Sequence, residues 1–154
     1  MIAQVLDAAR AKGIRIACAE SCTGGMLAAL LTEVAGSSDV FDRGFVTYSN
    51  DAKIDMLGVK QATLDAHGAV SEPIAREMAL GALERSNSHI AVSITGIAGP
   101  GGSEFKPEGR VCFALATAAG VLAQTVEFGP LGRAAVRMAA RDHALALILA
   151  ALRA

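Results

Sequence analysis

Residues 89–95, His-Ile-Ala-Val-Ser-Ile-Thr, form a nearly unbroken apolar run. A strand with one wet face alternates polar and apolar residues, so a run without a polar face reads as a strand covered on both sides. Ile14 to Ala19 (IRIACA) reads as a second short buried strand. Helical patterns supply the cover. Met1 to Ala11 puts Ile2, Val5 and Ala9 on one face, and Met26 to Val34 is helical throughout. Glu72 to Arg85 aligns Ile74, Met78 and Ala82, with Ser71 as N-cap and Pro73 in the first turn. Arg133 to Arg153 closes the chain with Val136, Ala140, Ala144, Leu147 and Ala151 along one stripe. Phe41 to Ser49 adds a strand interrupted by Gly44, and Asn50-Asp51 can cap a short helix, Ala52 to Leu57. Arg110 to Thr117 and Val121 to Phe128 read as an antiparallel hairpin. This order predicts one α/β domain over residues 1–154, a three-layer helix–sheet–helix sandwich with a mixed, largely parallel sheet.

Composition narrows the function classes. The 53% hydrophobic content is rich in Ala and poor in aromatics, which suits helices packed closely on a sheet. A net charge of −1 and the absence of any Lys/Arg run disfavour nucleic acid as a partner. Met1 to Arg10 is amphipathic and carries Asp7, unlike a signal peptide, and the most apolar stretch, Ala144 to Leu152, is too short to span a membrane. A cytoplasmic protein without membrane contact is expected. The odd set Cys18, Cys22 and Cys112, with His67, His89 and His143 scattered, argues against a disulfide framework and a structural zinc. The last turns of the terminal helix are apolar nearly all round, which suggests cover by a neighbouring element or a homo-oligomer.

In sheets of this type, ligands gather at the carboxyl ends of parallel strands. Three polar loops leave strands there: Glu20 to Gly25, Tyr48 to Lys53, and Thr95 to Lys106. The first, Glu20-Ser21-Cys22-Thr23-Gly24-Gly25, sits between a strand and a helix, where unpaired N–H groups and the helix dipole favour negative charge and suit a nucleophile. The competing reading is a Ser or Thr N-cap with glycines for close packing. A hydroxyl nucleophile needs a base, and none of the three loops holds a His. Lysine serves when burial lowers its pKa, which points to Lys53, with Tyr48 to relay or hold the proton and Ser38 to bridge by hydrogen bond. The competing reading for Lys53 is a solvated helix lysine. These patterns leave Ser21 and Thr23 both open as nucleophile.

Five segments together resemble the CinA C-terminal domain family, the group of PncC-type nicotinamide-nucleotide amidases. They are Glu20 to Gly25, Gly36-Ser37-Ser38, Gly44 to Asn50 with Lys53, Gly68-Ala69-Val70-Ser71, and Ser93 to Pro100. The resemblance covers nearly the whole chain. It implies hydrolysis of the carboxamide of nicotinamide mononucleotide to nicotinate mononucleotide and ammonia, with no metal or other cofactor. Carried over by motif, it makes Ser21 the nucleophile, Lys53 the base, and Tyr48 and Ser38 supporting hydroxyls. Backbone N–H groups around Cys22 to Gly25, including Thr23, Gly24 and Gly25, are then expected to hold the oxyanion. Thr95, Gly96 and Gly99, together with Arg137, are expected to hold the phosphate. Many members carry a further domain with pyrophosphatase activity, which these residues are not expected to supply. Three other readings compete: a nucleotide-binding module without chemistry, a partner in DNA uptake or recombination, and an amidase for a different small amide.

Overall fold

Large and small side chains alternate along the central strands, and that alternation decides how closely each helical layer approaches. The computed structural model describes residues 1–154. Strands β1 (Ile16–Glu20), β2 (Phe41–Val46), β3 (Ile90–Gly96), β4 (Arg110–Thr117) and β5 (Gly120–Glu127) form one sheet in the order β2-β1-β3-β4-β5. β1 is parallel to β2 and β3, while β4 is antiparallel to β3 and β5, so only β4 runs against the rest. The mixed, mostly parallel sheet and its closing hairpin match the expectation.

One face carries Ile16 and Cys18 of β1, Ile90, Val92 and Ile94 of β3, and Val111 and Phe113 of β4. These pack against α1 (Ile2–Lys12), α2 (Met26–Leu31) and the long α6 (Arg133–Arg153). The other face presents mostly small residues: Ala17, Ala19 and Ala91 in one cluster, Cys112, Ala114 and Ala116 in another. Against it lie α3 (Asn50–Leu57), α4 (Gln61–His67) and α5 (Glu72–Glu84). The small side chains bring α5 close enough for the hydroxyl of Ser93 to donate to the Ala75 carbonyl, at 2.6 Å. Gly81 of α5 lies on the Leu57 carbonyl with no room for a Cβ.

Several boundaries differ from the sequence reading for local reasons. β1 runs on to Glu20, whose side chain is fully buried. α2 stops at Leu31 because the Thr32 hydroxyl takes the carbonyls of Ala28 and Ala29, competing with the next helical turn. Ser49, rather than Asn50 or Asp51, caps α3 by accepting from the Ala52 amide. The apolar turns of α6 are largely covered within one chain, where Leu145, Ile148, Leu149 and Leu152 join the same core as α1. No helix is long and apolar enough to cross a membrane.

Candidate active site

β1, β2 and β3 end side by side, and the loops leaving them enclose a cavity of about 350 Å³. Ser21 follows β1 directly. Its amide donates to the Ile94 carbonyl of β3, and its carbonyl accepts from the Gly24 amide, closing a tight turn. Gly24 and Gly25 complete that turn in left-handed conformations, with φ of 56° and 103°, which disfavour any side chain. Ser21 is left nearly buried with its hydroxyl on the cavity.

The turn is held from two sides. Glu20 places its carboxylate at the N-terminus of α2, where it accepts from the amides of Leu27 and Ala28, each at 3.0 Å, and from the Thr23 hydroxyl at 2.6 Å. A buried carboxylate is tolerable there because charged acceptors suit the unpaired donors of a helix start. From α6, Arg137 donates to the carbonyls of Cys22 and Thr23. Arg137 therefore supports the turn from behind and does not line the cavity, contrary to the expectation that it holds phosphate. Thr23 is likewise committed to Glu20, and Gly24 and Gly25 shape the turn without lining the cavity.

Lys53 enters from the first turn of α3 and is 1% exposed. A helical side chain leans toward its own N-terminus, which carries this one back over the end of β2. Its Nζ lies 3.0 Å from Ser21 Oγ, 2.9 Å from the Thr47 carbonyl and 3.2 Å from the Tyr48 carbonyl. Burial pushes its pKa below the ordinary lysine value, opposed by the nearby charge of Glu104. The three contacts fix the sense of the serine hydrogen bond in the neutral amine. Carbonyls only accept, so the two N–H groups of a neutral lysine go to Thr47 and Tyr48, and its lone pair faces the Ser21 hydroxyl. This is the orientation a general base requires. Cys22, adjacent in sequence, does not compete as nucleophile: burial pushes its thiol up to about 11, leaving almost no thiolate near neutrality.

The remaining expected residues divide. Thr95, Gly96 and Gly99 line the cavity, although the Thr95 hydroxyl is spent on the Ala69 carbonyl. Gly96 has no space for a side chain between Val111 and Cys22. Tyr48 lines the cavity too, but it is 61% exposed and its hydroxyl accepts from Arg133, not from the serine–lysine pair. Ser38 is absent from the site. It lies in the 3-10 turn Ser37–Asp39 before β2, exposed, at the opposite end of the strand from Thr47 and Lys53. The sequence reading missed Arg133, which lines the cavity from the first turn of α6 and donates to the Gly99 carbonyl and Tyr48 hydroxyl. It also missed the role of Glu20 and the presence of Glu104 on the cavity wall. A carboxylate ending an apolar strand just before a helix was the available signal for Glu20; nothing in the local sequence singles out Glu104.

The sequence pattern of the CinA C-terminal domain runs along residues 1–152. The chain belongs to this family. This CinA C-terminal domain is 54% identical over 143 residues to the nicotinamide-nucleotide amidohydrolase PncC of Escherichia coli K12, covering 92% of the chain and 87% of the relative. Among solved structures, it resembles a competence/damage inducible protein of Agrobacterium tumefaciens at 49% identity and a TM-score of 0.89, over 98% of this chain and 96% of that one. A CinA superfamily protein of Klebsiella pneumoniae aligns with a TM-score of 0.95 at 38% identity, over 99% and 95% of the two chains.

Proposed function

We propose that this chain is a nicotinamide-nucleotide amidohydrolase that converts nicotinamide mononucleotide to nicotinate mononucleotide and ammonia by serine–lysine catalysis. The observation that carries the chemistry is the buried Lys53 Nζ, 3.0 Å from Ser21 Oγ at the wall of an open cavity. The substrate class comes from the PncC relatives.

In the first half-reaction Ser21 Oγ bonds to the carboxamide carbon while its proton passes to Lys53. The charge that develops on the carboxamide oxygen needs donors. Glu20 already takes the amides of Leu27 and Ala28, and the Ser21 carbonyl takes that of Gly24, which removes them as candidates. The Cys22 amide makes no hydrogen bond to another residue and belongs to a cavity-lining residue directly after the nucleophile, so we assign it as an oxyanion donor. One such donor is worth about 3–4 kcal/mol in related chemistry. Lys53 returns its proton to the amide nitrogen, the C–N bond breaks, and ammonia leaves. Water then attacks the acyl-serine, with Lys53 again taking the proton, and nicotinate mononucleotide departs as Ser21 recovers its hydrogen. Arg133 at the cavity mouth replaces Arg137 as the side chain assigned to the phosphate.

Ammonia release from nicotinamide mononucleotide tests the reading directly. Ser21→Ala and Lys53→Ala should each lower the rate by at least about 10³-fold. Near-normal rates in both variants would overturn the mechanism. A wild-type protein that binds the nucleotide but releases no ammonia would be a binding module instead.

A further inference from the structure

We propose that Glu104 selects a positively charged ring in this cavity, so that oxidised pyridinium nucleotides are its substrates and their reduced, neutral counterparts are disfavoured. The inference rests on the amidase reading above and sharpens its substrate class. Glu104 is the only acidic residue lining the cavity. Its carboxylate makes no hydrogen bond and no close ion pair, and the Lys106 ammonium beside it spends its donors on the carbonyls of His67 and Val70. A carboxylate with no hydrogen-bond donor of the chain on it keeps its acceptor oxygens for a cation brought in by the ligand.

Its position is built, not incidental. Ser103 and Lys106 exchange backbone hydrogen bonds of 3.0 and 2.8 Å around a two-residue turn made of Glu104 and Phe105. Both turn residues have positive φ, 52° and 64°, where side chains other than Gly, Asn or Asp are disfavoured. Next in the chain, Lys106 reaches across to the carbonyls of His67 and Val70, at 2.8 and 2.7 Å, and pins the turn against the loop before α5. Gly68 makes room for this clasp, since a Cβ there would stand 2.8 Å from Glu104 Oε2 and 2.9 Å from Lys106 Nζ. Strain and anchoring together deliver a carboxylate to the cavity wall.

The substrate's chemistry supplies the complement. The carboxamide carbon is bonded directly to the ring, so attack by Ser21 requires the ring to lie in the same cavity. In an oxidised nicotinamide nucleotide that ring carries a delocalised positive charge; in the reduced form it is neutral. Hydrolysis converts the carboxamide into a carboxylate that offsets the charge of the still cationic ring, so the attraction to Glu104 weakens from substrate to product.

Steady-state ammonia release from oxidised and reduced nicotinamide mononucleotide, with wild type and Glu104→Gln, tests the proposal. Glu104→Gln should raise KM for the oxidised nucleotide about two- to five-fold, the range of an exposed charge pair. It should leave KM for the reduced form unchanged and change inhibition by nicotinate mononucleotide, whose cationic ring is offset by its own carboxylate, by less than it changes KM for the oxidised substrate. Glu104→Asp, which keeps the charge, should restore most of the preference. An equal change in KM for both nucleotides, or none, would overturn the inference while leaving the amidase reading intact. Calorimetric titration of both nucleotides into Ser21→Ala and Ser21→Ala/Glu104→Gln reads the same preference without turnover. A wild type that releases no ammonia from either form therefore overturns the amidase reading, and the titration still decides the role of Glu104.

Discussion

At neutral pH an ordinary lysine is almost wholly protonated and cannot accept a serine proton; burial of Lys53 lowers that barrier at a cost in stability. The direction of its shift sets two pH dependences. For activity, kcat/KM should rise with pH as Lys53 loses its proton, with an apparent pKa below the ordinary 10.5. Lys53→Arg, whose guanidinium is never deprotonated, should be at least about 10²-fold slower at every pH and lack this limb. For stability, the unfolded chain binds more protons at this position than the folded protein between the lowered pKa and 10.5. Stability should therefore rise with pH through that window. Lys53→Met should remove this part of the rise, read as denaturant midpoints at two pH values. A pH-independent kcat/KM in wild type would show that Lys53 is not the base.

At the scale of elements, the catalytic turn depends on a short helix that is weak alone. α2 has six residues, well below the length at which isolated helices persist. Glu20 ties its N-terminus to the end of β1, so the carboxylate holds both the helix and the residue before the nucleophile. Glu20→Ala removes the cap and orphans buried amides, which should cost about 2–4 kcal/mol. Thermal unfolding should shift down by about 2–4 °C per kcal/mol in a domain of this size. Glu20→Gln keeps one acceptor oxygen and should fall between; a melting temperature within a degree of wild type for Glu20→Ala would refute the cap. The same element shows what the sequence could carry. The strand–turn–helix order and the Ser71 cap are local, and local patterns announce them. The end of α2 at Leu31 and the choice of Ser49 over Asn50 as a cap depend on single hydroxyls competing for backbone groups. Ser38 misled because proximity along the chain does not tell which end of β2 a residue occupies.

At the scale of the molecule, residues far apart in sequence meet only because three parallel strands end together. The doubly buried β3 run and the alternation of helices and strands made the layers and the sheet edge legible. That edge brings the Ser21 and Lys53 loops together, although only the family resemblance singled out Ser21 over Thr23. Arg133 and Arg137 were harder to tell apart. They lie one helical turn apart on α6, and only packing decides that one faces the cavity while the other grips the turn behind it. A ligand in this cavity touches the ends of β1, β2 and β3, the loop before β4 and the start of α6, so binding should stabilise the domain as a whole. Ser21→Ala, which holds the nucleotide without turning it over, isolates that effect. At a ligand concentration of about 100 Kd, linkage adds about 2.7 kcal/mol, or a rise of about 5–10 °C in melting temperature. Arg133→Ala in the same background should shrink the rise at fixed nucleotide concentration, and Arg137→Ala should leave nucleotide affinity unchanged while lowering the melting temperature of the free protein. The opposite ranking would return the phosphate to Arg137, and no rise in either background would place the nucleotide outside this cavity.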